Sequence, residues 1–545
     1  MFKDKAILYI FLASCLLFIP FLGSVHLFDW DEINFAECAR EMIVSKDYLR
    51  TQIDFKPFWE KPPLFIWLQV AAMKVFGINE WGARFPNVVV AFFTLFSFYK
   101  IGTKVANSKV GTWWILLYIG SWLPHFYFKT GLIDPLFNLL IFLAIYHVYN
   151  LCNKESNRNK HRLLAGLFLG LAVLTKGPVA ILIALLCWIV YIVISKFKSE
   201  ISLKDIATVA IVSFLVVAIW FATVVIQYGI AYGNWFLHEF ITYQIRLFST
   251  EDADHGGPFF YHFIVLLIGC FPASLFLFRK QQKNPSLLFN KWMWIAFWVV
   301  LLLFSIVKTK IVHYSSFCYF PLSYLAAYQI SLIVTNKETI SRRLKVLLYA
   351  IGGIWSIVWI CLPLIGIYKN KLIPFIEDPF AVGNLQADVH WSYYEIAIGI
   401  VYLLGLCYLI AKLNTNFEYY FKRLIAFQAV FIFICSNYFT PKIEHYSQRA
   451  AIAYYQSFNG KDVYVAPLSY KSYAHLFYTN KVKSPKDSVN LKEPTGYWTP
   501  EGSILRPTYF ICKIMDTSIY TSQTPIQKIG AKNGFVFYKG LKINN

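Results

Sequence analysis

The sequence predicts a polytopic α-helical membrane protein with a small C-terminal α/β domain, and three observations lead to this prediction. Of the 545 residues, 57% are hydrophobic and only 15% are charged, with a mean hydropathy of +0.50. A soluble domain is nearer half apolar and a quarter charged. About thirteen apolar runs approach the length that crosses a bilayer. Short connections rich in Lys and Arg alternate along the chain with longer connections that carry acids and aromatics.

The predicted spans follow one another closely from the N-terminus. The first has a basic start and contains LASC, which resembles a lipoprotein cleavage box ending at Cys15. It stays apolar to about Phe28, so we interpret it as a retained membrane helix. The fifth and sixth runs flank the sequence TKGP and are alternatively one broken helix. The runs lie at 6–27, 82–99, 111–128, 131–149, 163–175, 177–195, 206–227, 259–278, 291–307, 311–334, 346–367, 393–411 and 424–440.

The basic residues predict the orientation of these spans. With the N-terminus in the cytoplasm, connections such as YKIGTKVANSK, CNKESNRNKHR and TNKETISRRLK all fall inside, as the positive-inside rule requires. An odd number of spans then places the C-terminus outside. The long outside segments are 28–81, 228–258, 368–392 and 441–545, and long loops are where functional residues concentrate.

The composition also excludes several classes of protein. The net charge is +21, but the basic residues sit in short clusters between apolar runs, which argues against nucleic acid as a partner. The sequence has no GxxxxGK[ST] phosphate loop. The ten cysteines are scattered along the chain, and only Cys38 and Cys512 fall on the outer side of the membrane in the predicted topology. We therefore expect no disulfide framework.

The first outside loop, 28–81, carries the densest group of charged residues. A helix is expected from Asp31 to about Val44, with Asp31 as its cap, followed by a helix in PLFIWLQVAAMKVFG that is too short to span a membrane. Both helices are therefore expected in the membrane interface. They would hold five charged residues at the outer surface, namely Asp29, Asp31, Glu32, Glu60 and Lys61. Solvated charges at helix ends are the alternative interpretation.

The tail is predicted to be a separate unit. Residues 1–440 would form the transmembrane domain, and residues 441–545 an α/β domain outside the membrane. The tail is polar and contains the strand-like runs VYVAP, TYFIC and GFVFYKG together with the helix-like run SYKSYAHLFY.

Several motifs together resemble one family. They are DE-x3-AE-x-ARE-M, EKPPL-x2-W, G-x-NEW-x-AR-x-P, GLIDPL and LTKGP, and they cover most of residues 25–180. This order is similar to that of the bacterial lipid-linked sugar transferases of the aminoarabinose transferase and protein-O-mannosyltransferase-like superfamily. The resemblance implies a membrane fold of the GT-C type in the bacterial inner membrane. It also implies transfer of a sugar from a polyprenyl-phosphate carrier to an acceptor in the periplasm.

The resemblance also implies the catalytic acids. Asp31 of the DE pair corresponds to the essential acid, with Glu32 beside it, and Asp134 corresponds to a second acid near the catalytic centre. A carboxylate can act as the base that glycosyl transfer to a hydroxyl requires. If the acceptor is itself a phosphate, no strong base is needed, and Asp31 would position the sugar or the acceptor.

Cations are expected around the carrier phosphate, because negative charge develops on the leaving group. Lys61, Lys176 and Tyr314 match family positions that resemble a phosphate site. Arg84, Lys308 and Lys310 fall at the same outer face in the predicted topology. The alternative for each lysine is an interfacial side chain that snorkels to water.

One divalent metal ion is a further expectation from the resemblance. Some relatives use the Glu of the EKPP motif, here Glu60, with a histidine of a later loop, for which His255 is the candidate. Many relatives carry Glu-His shortly before an Arg-Phe pair, where this chain has Thr242 and Tyr243 instead. One Glu and one His form an incomplete site that would need water or substrate.

Other functions stay open at this point. A secondary transporter or flippase of lipid-linked sugars would place charges mid-membrane on broken helices, often in inverted repeats. An O-antigen ligase or polymerase-like enzyme would lack the early DE and EKPP motifs. The sugar is not specified, and the acceptor is a lipid, a protein or a glycan.

Overall fold

The structure is a computed structural model, and it describes residues 5–152, 157–198, 200–249, 256–279, 288–484, 490–492, 499–501, 504–520 and 526–541. The chain is mainly helical, and its four-stranded sheet lies in the C-terminal part. This confirms the predicted fold class of a helical membrane protein with a small α/β domain.

The segment predicted to be the first outside loop, 28–81, forms the two expected short helices. After α1 (Lys5–Phe18) come α2 (Asp31–Ser45), a short hairpin of β1 (Gln52–Ile53) and β2 (Lys56–Pro57), and α3 (Leu64–Phe76). The buried face of α2 includes Ile33, Ala36 and Ala39, as the apolar spacing predicts. The predicted cap is wrong, however. Trp30 is the cap residue and Asp31 is the first residue of the helix, so its carboxylate is available for another partner.

The helices up to residue 249 form one half of the bundle. They are α4 (Glu80–Val105), α5 (Ser108–Ile119), α6 (Trp122–Tyr127), α7 (Asp134–Cys152), α8 (Arg158–Lys176), α9 (Val179–Ile194), α10 (Leu203–Tyr228) and α11 (Ile230–Ser249). Aromatic packing joins α4 to α5, because the rings of Phe98 and Trp114 stack at 4.1 Å.

The second half of the bundle leads into the tail. Its helices are α12 (Tyr261–Gly269), α13 (Leu288–Ile306), α14 (Tyr319–Thr335), α15 (Arg342–Ile367), α16 (Lys369–Leu372), α17 (Pro379–Leu385), α18 (Ile396–Lys412) and α19 (Phe417–His445). Short 3₁₀ helices cover Ala273–Phe278, Val312–Cys318, Ile373–Phe375 and Tyr393–Glu395.

Eight helical segments among the described residues are long and apolar enough to cross a membrane. The expected count of about thirteen is therefore not confirmed. Of the other five predicted runs, four are helical but short or interrupted, and the fifth, 163–175, lies in the 19-residue helix α8, which begins with the charged sequence RNKHR. Helix α1 has 14 residues and α9 has 16. The run 111–128 breaks at Gly120, and the run 259–278 breaks before Pro272. Hydropathy averaged over a run does not register such breaks.

The C-terminal part is the predicted α/β domain. It contains α20 (Arg449–Gln456), β3 (Tyr464–Leu468), α21 (Ala474–Tyr478), β4 (Asn490–Lys492), β5 (Thr499–Glu501), β6 (Thr508–Lys513), β7 (Ile526–Lys532) and β8 (Phe535–Gly540), with a 3₁₀ turn at Ile514–Ile519. The sheet order is β3-β6-β8-β7, with β3 parallel to β6 and the other pairs antiparallel. Because α19 continues through Pro441 to His445, the membrane part extends slightly beyond the expected boundary.

One face of this sheet shares a hydrophobic core with the first loop. Val465, Ile511 and Phe535 lie in the same cluster as residues of α2 and α3. Polar contacts reinforce the docking, since Arg40 donates to the Lys481 carbonyl at 2.8 Å and the Tyr478 hydroxyl donates to Glu80 at 3.0 Å. The first loop and the tail therefore lie at the same end of the bundle.

Candidate active site

A cavity of about 130 Å³ lies where the first loop, the membrane helices and the C-terminal domain meet. Charged and polar side chains from seven separate parts of the chain line it. They are Asp31 from α2; Glu60 and Lys61 from the loop before α3; Asp134 from the start of α7; Lys176 from the end of α8; Tyr243 and Arg246 from α11; His313 and Tyr314 from the 3₁₀ helix; and Lys471 from the tail. Tertiary folding thus brings together residues that are up to 440 positions apart in sequence.

Asp31 projects into this cavity from the first turn of α2. One of its carboxylate oxygens lies 3.2 Å from Nε2 of His313, and the two side chains are 24% and 12% exposed. His313 was not predicted as a site residue, although it directly precedes Tyr314 in the motif KTKIVHY. The pair gives Asp31 a neighbour whose ring nitrogen can donate or accept a hydrogen bond.

Asp134 forms a separate buried pair. Its Oδ1 accepts a hydrogen bond from Nζ of Lys176 at 2.5 Å, and both side chains are largely buried. Lys176 ends α8 because Gly177 follows with a φ of +89° and a ψ of −164°, a conformation that essentially only glycine adopts. The ammonium group also lies 5.4 Å from the centre of the Tyr314 ring. The motifs GLIDPL, LTKGP and KTKIVHY therefore meet at one point.

Two further cations, besides Lys176 and Lys471, belong to the positive lining. Lys61 forms no ion pair with any residue that the structure describes. Arg246 comes from the amphipathic helix α11, and its guanidinium lies 5.4 Å from the centre of the Tyr243 ring. Arg246 is not among the site residues that the sequence predicts. Its place in the cavity depends on how α11 packs, which no local signal specifies.

Glu60 is held by neutral and cationic neighbours. The Tyr243 hydroxyl donates to one carboxylate oxygen at 3.0 Å, and Nζ of Lys471 lies 4.0 Å from the other. Tyr243 is one of the residues at which this chain departs from the family pattern. Nowhere in the described part of the chain do three His, Cys, Asp or Glu side chains come together as a metal site. His255 lies outside the described residues, so the metal stays a prediction.

Glu32 and Arg84 do not line the cavity, which contradicts their expected roles. They form a buried bidentate ion pair with N–O distances of 2.7 and 2.9 Å. Arg84 also donates to the carbonyls of Leu22 and Val25, and Glu32 accepts from the backbone N–H of Gly131 at 2.5 Å. This network fixes the loop before α7 against the first loop, so it positions Asp31 and Asp134 indirectly.

Lys308 and Lys310 also lie outside the cavity. Nζ of Lys310 donates to the carbonyls of Phe304 and Ser305 at 3.1 and 2.7 Å, and thereby caps the end of α13. Lys308 is exposed. Neither lysine lines the cavity, and Lys310 satisfies the carbonyls of α13, so the structure does not support the expectation that these two lysines bind the carrier phosphate there.

Comparison with known proteins supports the resemblance on independent grounds. The family model described as dolichyl-phosphate-mannose-protein mannosyltransferase matches residues 60–220. The undecaprenyl phosphate-alpha-4-amino-4-deoxy-L-arabinose arabinosyl transferase of Photorhabdus laumondii is 25% identical over 322 residues, which is 57% of this chain and 56% of the relative. The transferase 1 of the same name from Proteus mirabilis is 26% identical over 339 residues, which is 60% of this chain and 60% of the relative. The chain is therefore similar in sequence to the aminoarabinose transferases over more than half of its length.

The fold agrees with this relationship over nearly the whole chain. The crystal structure of ArnT from Cupriavidus metallidurans bound to undecaprenyl phosphate has a TM-score of 0.73 at 16% identity and covers 98% of both chains. The apo oligosaccharyltransferase of Archaeoglobus fulgidus has a TM-score of 0.51 at 12% identity, over 94% of this chain and 70% of that one. The predicted GT-C type fold and the predicted superfamily resemblance are thereby confirmed. In sequence, the chain spans just over half the length of the curated relatives above.

Proposed function

We propose that the protein is a membrane glycosyltransferase that moves a sugar from a polyprenyl-phosphate carrier to an acceptor at the outer face of the bacterial inner membrane. The observation that carries this proposal is the single cavity that combines Asp31 and Asp134 with Lys61, Lys176 and Arg246. Two carboxylates suit proton transfer and sugar positioning, and the cations suit a lipid phosphate. The names of the relatives, which specify undecaprenyl phosphate, favour the same donor.

In the proposed reaction, the bond between the sugar's anomeric carbon and the carrier phosphate oxygen breaks. A new bond forms between that carbon and an oxygen of the acceptor. With a hydroxyl acceptor, the proton passes to Asp31, and His313 at 3.2 Å stabilises or relays it. The polyprenyl phosphate leaves with the electron pair of the broken bond. A phosphate acceptor needs no deprotonation, and Asp31 then orients the nucleophile.

The carrier phosphate is assigned to Lys61 and Arg246, with Tyr314 and Lys176 beside them. Lys176 already neutralises Asp134 at 2.5 Å, so its charge is shared. Lys61 has no such carboxylate partner among the described residues. Each well-made contact between a cation and a phosphate contributes about 1.5–3 kcal/mol. Loss of Lys61 should therefore weaken donor binding more specifically than loss of Lys176, which also leaves the buried Asp134 unpaired.

The orientation of the chain is part of the proposal. The first loop and the C-terminal domain share one core, so both lie on one side of the membrane. The alternation of basic connections favours the periplasm for that side and the cytoplasm for the N-terminus.

The test is a transfer assay with the purified full-length protein and a labelled polyprenyl-phosphate sugar. Release of free carrier only when an acceptor fraction is present is the expected result. Movement of intact donor across a vesicle bilayer without bond cleavage would instead identify a transporter or flippase. Elongation of a glycan on its own carrier would identify a polymerase-like enzyme.

A further inference from the structure

A second cavity, of about 360 Å³, lies among the membrane helices and is separate from the candidate active site. Helices α7, α8, α9 and α10 line it together with Ile201. No described residue lines both cavities. Along α10 the cavity extends from Asp205 to Val217, which is about 18 Å at 1.5 Å per residue. One leaflet of the hydrocarbon core is about 15 Å thick, so the cavity has the length of one leaflet.

The cavity lies towards the end of the bundle opposite the candidate active site. Helix α8 runs from Arg158 to Lys176, and Lys176 lines the active site. The start of α10 lies beside the start of α8, where Nε of Arg158 donates to the Asp205 carboxylate at 3.0 Å. In the orientation proposed above, this end of the bundle faces the cytoplasm. The cavity then lies within the inner leaflet.

The cavity is apolar and open to the side. Ile181 and Leu185 of α9 and Phe214 of α10 line it with exposed side chains. Among the eight described segments that can cross a membrane, α10 is the most apolar and the least buried. Exposed apolar side chains at this depth contact lipid, since the bilayer core holds no water. A lipid chain can therefore enter the cavity from the bilayer.

Two guanidinium groups share one carboxylate at the Asp205 end of the cavity. Asp205 is buried and pairs with Arg158, and Nε of Arg162 lies 3.8 Å from Oδ1 of the same carboxylate. Arg162 is only 9% exposed, and its Nε has no hydrogen-bond partner among the described residues. The connection 196–204 adds three exposed lysines and one exposed acid. This end therefore combines net positive charge with a buried donor, which suits a lipid phosphate.

A tryptophan in the cavity indicates which kind of lipid fits. Trp188 lines the cavity, and its buried indole Nε1 has no hydrogen-bond partner in the described part of the chain. A buried donor without an acceptor costs stability unless a bound molecule satisfies it. A polyprenyl chain is pure hydrocarbon and offers no acceptor. The ester carbonyls of a glycerophospholipid do, so Trp188 favours a glycerophospholipid.

We propose that this second cavity binds an anionic glycerophospholipid of the inner leaflet. One acyl chain lies in the cavity, an ester carbonyl accepts from Trp188, and the phosphate contacts Arg162. The chain packs against Leu169 and Val173 of α8, the helix whose last residue is Lys176 of the active site. The inference goes beyond the proposed function, from which it takes only the orientation.

Native mass spectrometry of the purified full-length protein tests the headgroup site. The anionic probe is dioleoylphosphatidylglycerol, and the zwitterionic probe with the same chains is dioleoylphosphatidylcholine. We expect the anionic lipid to bind at least about tenfold more tightly. Arg162→Gln should weaken its binding roughly tenfold, the loss of one charge-assisted contact. Arg343→Gln is the matched control, because Arg343 is exposed at the start of α15, in another predicted cytoplasmic connection.

A second variant tests the acyl-chain site without changing a charge. Ala210 of α10 is exposed and lines the cavity, so Ala210→Phe should fill the cavity and weaken binding of both lipids roughly tenfold. Ala207→Phe is the matched control, because Ala207 is exposed on the same helix but does not line the cavity. The larger side chain projects from an exposed position in both variants, so both should fold.

Three results would contradict this lipid site. Equal affinity for the two lipids would show that the cavity does not select an anionic headgroup. An equal loss of binding in Arg343→Gln would show that binding reflects only the overall positive charge of that face. Unchanged lipid binding in Ala210→Phe would place the lipid elsewhere on the protein, whatever the result for Arg162→Gln.

Undecaprenyl phosphate is the alternative occupant, and its binding is measured in the same variants. We expect Ala210→Phe to leave carrier binding unchanged, because the carrier phosphate is assigned to Lys61 and Arg246 in the other cavity. Loss of carrier binding in Ala210→Phe would assign the second cavity to the carrier's chain and overturn this inference. Selective phospholipid binding without any sugar transfer by the parent protein would overturn only the proposed function.

Discussion

At the scale of single residues, the two carboxylates of the active-site cavity differ in their partners. Asp134 is paired with the ammonium group of Lys176 at 2.5 Å, whereas Asp31 lies 3.2 Å from Nε2 of His313, a nitrogen that can donate or accept a hydrogen bond. In the proposed reaction, Asp31 is therefore the group that takes the proton, and Asp134 holds sugar or charge. His313 was missed because a histidine in an apolar run has no distinctive spacing.

Asp31→Asn should lower the rate of transfer at least about 100-fold, while expression and the unfolding temperature stay near those of the parent protein. The amide keeps the shape of the side chain but cannot accept a proton. Single-turnover transfer is the measurement. The control is Asp388→Asn, an exposed acid outside the cavity. Substantial residual transfer would mean that the Asp31 carboxylate is not the base.

Arg84→Met should lower stability, because it leaves the Glu32 carboxylate buried without its cation. Breaking such a pair typically costs about 3–5 kcal/mol. The unfolding temperature in detergent should fall by several degrees, while carrier binding at low temperature persists. Lys308→Met removes an exposed cation and should change neither quantity. A specific loss of carrier binding in Arg84→Met, without loss of stability, would restore Arg84 to the phosphate site.

The free energy of unfolding should depend on pH through Glu41, a buried residue of α2 in the first loop. Burial and the neighbouring Glu37 carboxylate raise the pKa of Glu41 from 4.5 to about 9. Between these values the folded state binds more protons than the unfolded state, so stability falls as pH rises from about 4.5 towards 9. Glu41→Gln should raise the unfolding temperature at pH 9 and change it little at pH 5. The same increase in unfolding temperature at pH 5 and at pH 9 would exclude titration of Glu41 as the cause.

At the scale of elements, the break between α8 and α9 places Lys176. Gly177 has a φ of +89°, and an added Cβ would lie 3.2 Å from Oε1 of Gln244 on α11. Gly177→Ala should therefore shift the end of α8 and reduce transfer by about 10–100-fold, since small misplacements at a reacting centre are costly. Gly353→Ala is the control, because it lies within α15 with no atom within 4 Å of the new Cβ. Equal activity of the two variants would show that α8 tolerates the change.

At the scale of the whole molecule, the tail and the first loop are one structural unit on one side of the membrane. A reporter that is active only outside the cytoplasm should work when fused after Asn545 and fail when fused after Lys160. The expected result follows from the positive-inside alternation and from the shared core of the sheet with α2 and α3. An active fusion after Lys160 would reverse the orientation and put the proposed site in the cytoplasm.

The membrane class, the two short helices of the first loop, the α/β tail and the motifs that carry the charged residues could all be predicted from the amino-acid sequence. These features depend on local periodicity, on residue types and on motif order. Tertiary structure alone decided which of the candidate cations face the cavity. Lys61 and Lys176 reach it, whereas Arg84 and Lys310 turn to a buried carboxylate and to helix carbonyls. Arg246, His313 and Lys471 joined the site only through packing, because the position of a side chain relative to distant elements is a non-local property of the fold.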